Sequence, residues 1–234
     1  MKAERNTDTS VTDNISGSDE NIARKLATQL GLPDPTATSS TPEEIAQIGP
    51  NAIGQMATYY AILTQNNAYT PEIGAQIAAS IAPSIHARVP YPMFNEKSLS
   101  TNSDTSYQGM IAYRTALQTS LAPLKLNKDY ELHLYNAYVE TRDAAYLTQL
   151  TTAAEHYREA AGLTARVSVP KDAVSIHVGI LNAMQEFAST LDLIVANISD
   201  PITSLALLSS YSKAESDMVN AFTDLDDYYA SKKP

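Results

Sequence analysis

Residues 172–230 carry two apolar stripes, each repeating in alternating steps of four and three, separated by Asp200-Pro201. His177, Leu181, Met184, Ala188, Leu191, Val195 and Ile198 make the first stripe. Leu207, Tyr211, Ala214, Met218, Ala221, Leu225 and Tyr228 make the second. At about 3.6 residues per turn, this spacing holds each set on one side of a helix. Ile180, Phe187 and Ile194 widen the first stripe, as a helix with several neighbours requires. Asp200 is a good cap, and Pro201 suits the first helical position, where its missing N–H costs nothing. A turn this short makes helices over 172–198 and 201–230 antiparallel neighbours. The expected fold class is therefore all-α: an elongated antiparallel helical bundle of about four long helices, with additional short N-terminal helices.

The rest of the chain divides by its punctuation. Residues 1–18 are polar and read as a disordered arm. Ser18 or Asp19 can cap a short helix over 20–30, carrying Ile22, Leu26 and Leu30, and residues 32–41 form a linker. Thr41-Pro42-Glu43-Glu44 is a capping box with proline at the first helical position. Gly49-Pro50 is expected to interrupt that helix, and a second, over 51–65, to bury Ile53, Met56, Tyr60 and Leu63. Asn66-Asn67 closes it, and Thr70-Pro71-Glu72 opens another helix that ends before Pro83. Residues 83–106, with three prolines and the polar run Ser98 to Asp104, read as a loop lying along the bundle. Helical pattern resumes from Asp104 or Thr105 to Pro123. Residues 127–162 form one long helix, or two joined near 140–143 with Asp143 as the second cap. The domain reading is an arm over 1–18, short helices and a proline-rich loop over 19–106 packing on the bundle, and the bundle itself over 107–231.

Composition narrows the function. The net charge is −10, from 26 acidic and 16 basic residues, and no Lys/Arg cluster stands against it, so no nucleic-acid partner is expected. With no cysteine, disulfides, zinc–thiolate sites and thiol nucleophiles are excluded. Fourteen Tyr against three Phe and no Trp suit half-exposed helix faces and interfaces, because Tyr buries a ring and keeps its hydroxyl near a partner. No run approaches 18 apolar residues, so no membrane span is expected. The opening residues, Met1 to Asp8, lack the apolar core of a signal peptide. The chain is then either cytoplasmic or follows a leader or tether lying upstream.

Reactive motifs are scarce. A di-iron bundle needs Glu-x-x-His on two helices, and none of His133, His156 or His177 has an acid three residues before it. His156 and Glu159 have that spacing in the opposite order. No metal, cofactor or catalytic residue is therefore assigned. Asp224, Asp226 and Asp227 point in different directions from one helix and read as a solvated end. His177 lies on an apolar stripe near Asp172 and Asn182. It is either a pH-sensitive or ligand-binding group, or an interior histidine bonded to a backbone carbonyl and a neighbouring hydroxyl.

Val169-Pro170, His177, Leu181-Asn182, Asp200-Pro201 and Tyr211 together give residues 100–230 a pattern that resembles uncharacterised exported helical proteins of candidate-phylum bacteria. In that group a membrane anchor precedes an exported helical domain. The resemblance implies an extracytoplasmic, bundle-like protein and brings no activity or catalytic residues.

The expected function is that of a non-enzymatic structural or interaction protein, a helical scaffold or adaptor with protein partners. The alternative is a small-molecule or peptide-binding bundle with a pocket lined by Tyr107, Tyr113, Tyr135 and Tyr138. An enzyme of unrecognised type would need convergent titratable groups in a cleft. Tyr107, Tyr113, Tyr135, Tyr138 and His177 are the candidate contact residues.

Overall fold

The computed structural model describes residues 41–65, 67, 69–82 and 85–233. The arm over 1–18, the helix over 20–30 and most of the linker fall outside the described residues. Among the described residues the chain is all-α, with eight α-helices and one pair of two-residue strands. No helix among them is long and apolar enough to cross a membrane. Two compact units are present, one within 48–85 and one comprising 39–47 with 86–234.

The first unit contains α2 (Ile48–Gln65) and α3 (Pro71–Ile81). Asn67 between them takes a left-handed conformation, with φ of 51°, and its N–H donates to the Thr64 carbonyl at 3.1 Å. Thr70 caps α3 by accepting from the Ile73 N–H at 3.3 Å. Two expectations fail here. The helix break falls at Gln47, and Gly49-Pro50 lies in the first turn of α2, where proline's missing N–H has no intrahelical partner to lose. The buried face of α2 is Ile48, Ala52 and Tyr59, while Ile53 and Tyr60 are exposed. The expected period holds, but the buried side is turned by one residue, from Ile53 and Tyr60 to Ala52 and Tyr59.

The second unit opens with α1 (Pro42–Ala46), whose capping box is complete: the Glu44 N–H donates to Thr41 Oγ1 and the Thr41 N–H to Glu44 Oε2, both at 3.1 Å. Residues 86–106 run along the later helices. The Asn182 side chain accepts from the Phe94 N–H at 2.7 Å and donates back to its carbonyl, and Ser210 Oγ donates to the Ala87 carbonyl at 2.7 Å. Strand β1 (Thr101–Asn102) pairs in parallel with β2 (Val169–Pro170), Thr101 opposite Val169.

Helix α4 (Tyr107–Ser120) is capped by Ser106, one residue beyond the expected start. Asp104 accepts from the Ser106 N–H, and Gly109 lets the helix approach that aspartate: a Cβ there would stand 2.6 Å from the Asp104 carbonyl oxygen. Residues 127–162 divide into α5 (Glu131–Thr141) and α6 (Ala144–Thr164). Arg142 makes the corner at φ of 60°, and Asp143 caps α6 by accepting from the Ala145 N–H.

Helices α7 (Val174–Ala196) and α8 (Pro201–Ser231) bury their stripes almost throughout, Val195 and Ile198 alone of the first stripe and Met218 of the second being half-exposed. Asp200 caps α8, its Oδ1 accepting from the Ile202 and Thr203 N–H groups and its Oδ2 from the Thr203 hydroxyl. Phe187 meets Tyr211 with ring centroids 5.1 Å apart, Lys213 bridges Glu186 and Asp217, and Arg158 of α6 pairs with Asp192 of α7. Replacing Asp200 with Ala removes a cap, at a cost of about 1 kcal/mol. Thermal unfolding followed by circular dichroism should show a lower Tm for Asp200→Ala with native helicity retained at low temperature.

Candidate functional site

Two polar clusters lie in the second unit, one in an interior otherwise filled mainly by Leu, Ile, Met and Ala and one running from that interior to the surface. The first is built on His177. This imidazole is fully buried, and α7 presents it to α4 and to the last turn of α6. Nε2 lies 3.1 Å from the Thr164 carbonyl oxygen, which can only accept, so Nε2 carries the proton. Nδ1 is then the acceptor for the Tyr113 hydroxyl at 2.9 Å. Both ring nitrogens are satisfied in the neutral form. Thr164 extends the cluster through its own hydroxyl, 2.8 Å from Ser120 Oγ.

Burial pushes the His177 pKa down to about 4, partly offset by the Thr164 carbonyl, which favours the protonated ring. The Tyr113 hydroxyl is pushed well up by burial, reinforced by Tyr229 and Tyr228. Those two rings stand edge-on to Tyr113 with centroids 6.4 Å away. The Arg114 guanidinium covers Tyr229 at 5.4 Å, and Tyr228 donates to Asp172, which also pairs with Lys232. The end of α8 is thus fastened to the chain just before α7.

The second cluster was not legible in the sequence. Glu131, the first residue of α5, is 6% exposed, and its carboxylate accepts from the Tyr157 hydroxyl at 3.2 Å. Burial raises its pKa, opposed by its own backbone N–H and by Tyr157, with Glu215 adding to the rise. Tyr130 donates to Glu215 at 2.7 Å, and Tyr211 places its hydroxyl beside that of Tyr130 without forming a well-made hydrogen bond. His156 Nδ1 lies 2.6 Å from Asn127 Oδ1, so the ring donates there, and the amide nitrogen of Asn127 has no partner. Phe187 stands between the rings of Tyr157 and Tyr211, at 4.7 and 5.1 Å. Sequence spacing places Tyr211 correctly on its stripe; that Tyr157 donates to a glutamate from another helix, with the Tyr211 hydroxyl near Tyr130, requires the folded chain.

Of the five residues singled out in the sequence, the structure joins Tyr113 to His177. Tyr107 is exposed at the start of α4. Tyr135 and Tyr138 are half-buried on α5, where the Arg142 guanidinium covers the Tyr138 ring at 5.6 Å. The surface clefts among the described residues include two in the second unit. One, of about 320 Å³, is lined by Tyr91, Gly179, Asn182, Glu186, Asp217 and Asp224 among others. The other, of about 240 Å³, is lined by Arg114, Leu117, Leu121, Phe222, Leu225 and Tyr229 with two polar neighbours. Neither is lined by Glu131, Tyr157, His177 or the four candidate tyrosines. Arg114 and Tyr229, which stand beside Tyr113, do line the second cleft, and Tyr130 of the Glu131 cluster is exposed. Asp224, Asp226 and Asp227 are exposed, and among the described residues no group of three or more His, Asp or Glu converges to hold a metal ion.

No family model, curated protein or solved structure matches the chain.

The clusters make opposite contributions to pH dependence. His177 binds a proton less readily folded than unfolded, so its stabilisation is complete above about pH 6.5 and is lost as pH falls towards 4, by about 3 kcal/mol in all. Glu131 has a raised pKa, so its contribution is present in acid and lost as pH rises through that value. Urea titrations should show wild-type stability falling between about pH 6.5 and 4, with the fall much reduced in His177→Gln. Glu131→Gln should be more stable than wild type at neutral pH, with the difference shrinking in acid. Tyr113→Phe should cost about 1–3 kcal/mol, because Nδ1 of His177 loses its donor inside the core.

Proposed function

We propose that this chain is a non-enzymatic helical scaffold or adaptor that works outside the cytoplasm, its second unit an elongated antiparallel bundle presenting α8 to protein partners. The antiparallel arrangement is supported by the contacts along α7 and α8: Asp172 with Lys232, Glu186 with Lys213 and Phe187 with Tyr211. In each successive pair one residue number rises as the other falls. The extracytoplasmic setting follows from the resemblance to exported helical proteins.

The observation that carries the docking role is the outer side of α8. Leu205, Ser209, Ser212, Ser216, Val219 and Thr223 recur in steps of four and three, all are exposed, and none is charged. Leu205 is 66% and Val219 61% exposed. A helix face that serves solubility alone carries Lys and Glu, commonly in i, i+4 pairs. Here Ser212 and Thr223 turn their hydroxyls back onto the helix's own carbonyls, which leaves the side smooth and weakly hydrated. Covering such a face removes no charge from water.

Substituting Leu205 and Val219 together with Lys tests the reading, since exposed positions usually change stability by under about 0.5 kcal/mol each. The immobilised full chain should retain a protein partner from native membrane or cell-surface extracts. The double variant should fold normally and lose that retention at least ~tenfold, about 1.4 kcal/mol of binding. Equal retention by the two proteins would contradict the proposal.

A further inference from the structure

The first unit departs from the rest of the chain in one respect. The protein has a formal net charge of −10, yet Glu72 is the sole charged residue from Ile48 to Ile81. This stretch leaves large side chains in solvent: Ile53 is 59%, Tyr60 55% and Tyr69 46% exposed. The Tyr60 and Tyr69 rings meet edge to face with centroids 4.9 Å apart, so α2 and the connection leading to α3 together project one aromatic element. Along α2, Ile53, Ala57, Tyr60 and Thr64 follow steps of four, three and four, and all four are exposed. The Thr64 hydroxyl is turned onto the Tyr60 carbonyl at 2.8 Å and asks little of the surrounding water.

We infer that this side of the α2–α3 hairpin is the surface through which two copies of the chain associate. The argument is electrostatic first. Two copies at −10 repel one another over most of their surface, and a contact between them forms most cheaply where no charge is brought together. A partner of opposite sign gains more on the acidic faces elsewhere on the chain than on this uncharged one. A second copy brings an identical uncharged face, and a two-fold axis lets the same patch serve on both sides. Small residues such as Ala57 admit close helix approach, while Tyr60 and Tyr69 supply rigid contact area at low entropic cost. Size then sets the strength. Helix α2 has 18 residues and is about 27 Å long. Two such hairpins face to face bury on the order of 1,000 Å², the lower end for a specific interface, so the dimer is a weak one. This inference is independent of the α8 docking face.

Sedimentation velocity on the full chain across a micromolar dilution series provides the test. The mass should rise with concentration from one chain to two. Salt should strengthen the association, since at about 1 M the Debye length falls to ~3 Å and repulsion between the copies is screened. Ile53→Lys combined with Tyr60→Lys should raise the dissociation constant at least ~tenfold. Ala57→Arg, an exposed site given a good helix former, should do the same if the double variant folds poorly. Leu205→Lys with Val219→Lys should leave association unchanged, which separates this surface from α8. A one-chain mass at every concentration would overturn the inference. So would a dimer indifferent to both hairpin variants, or one removed by the α8 variant.

Discussion

Three helices of the second unit meet at one imidazole. His177 reaches from α7 to the Tyr113 hydroxyl of α4 and to the carbonyl of Thr164, where α6 ends. A buried polar group without partners costs more than the surrounding apolar contacts return, so the ring tolerates few arrangements of its neighbours. The contacts of Leu181, Met184 and Ala161 have no preferred direction, so a changed register can be partly recovered by repacking, at about 1–3 kcal/mol. The imidazole discriminates among registers. It requires a donor on one side and a carbonyl on the other, about 3 Å away each, and the rotation of α4 and the end of α6 are set by meeting both.

The Glu131 cluster is looser and works against neutral pH. Its carboxylate is buried with one hydroxyl donor and its own backbone N–H, and a second carboxylate, Glu215, stands beyond Tyr130. The cluster leaves the Asn127 amide and the Tyr211 hydroxyl incompletely paired. One polar site in this interior is therefore fully satisfied and specifies packing, while the other is only partly satisfied and carries the cost of a buried charge. His177 is enclosed by aromatic rings, while the Glu131 cluster reaches the surface at Tyr130.

Legibility in the sequence followed the range of the interaction. The Thr41 capping box, the Asp143 and Asp200 caps and the Thr70-Pro71 start all depend on residues within a few positions, and each is present as its spacing indicates. The stripes of α7 and α8 are legible because each repeats in steps of four and three over seven positions. In α2 the period of Ile53 and Tyr60 is right but the buried side is Ile48, Ala52 and Tyr59, because two adjacent apolar faces share that period and spacing alone does not choose between them. The corner at Arg142 carried no signal in residue type, since arginine has no special tolerance for φ of 60°. The partners of His177 were legible as kinds of atom, a carbonyl and a hydroxyl, and their identities came only with the fold. Glu131 looked like any first-turn acid at a helix start, and its burial depends on α6 and α8 arriving from far along the chain.

These observations divide the molecule into an interior committed to structure and uncharged outer faces available for contact. That division rests on His177 being a neutral, doubly bonded structural group with no titrating role near physiological pH. The most direct test is the pair of ¹⁵N shifts of its imidazole across a pH series. The account predicts a neutral ring protonated on Nε2 that persists below about pH 5. A ring that titrates near its ordinary value of about 6.5, or one protonated on Nδ1, would contradict it.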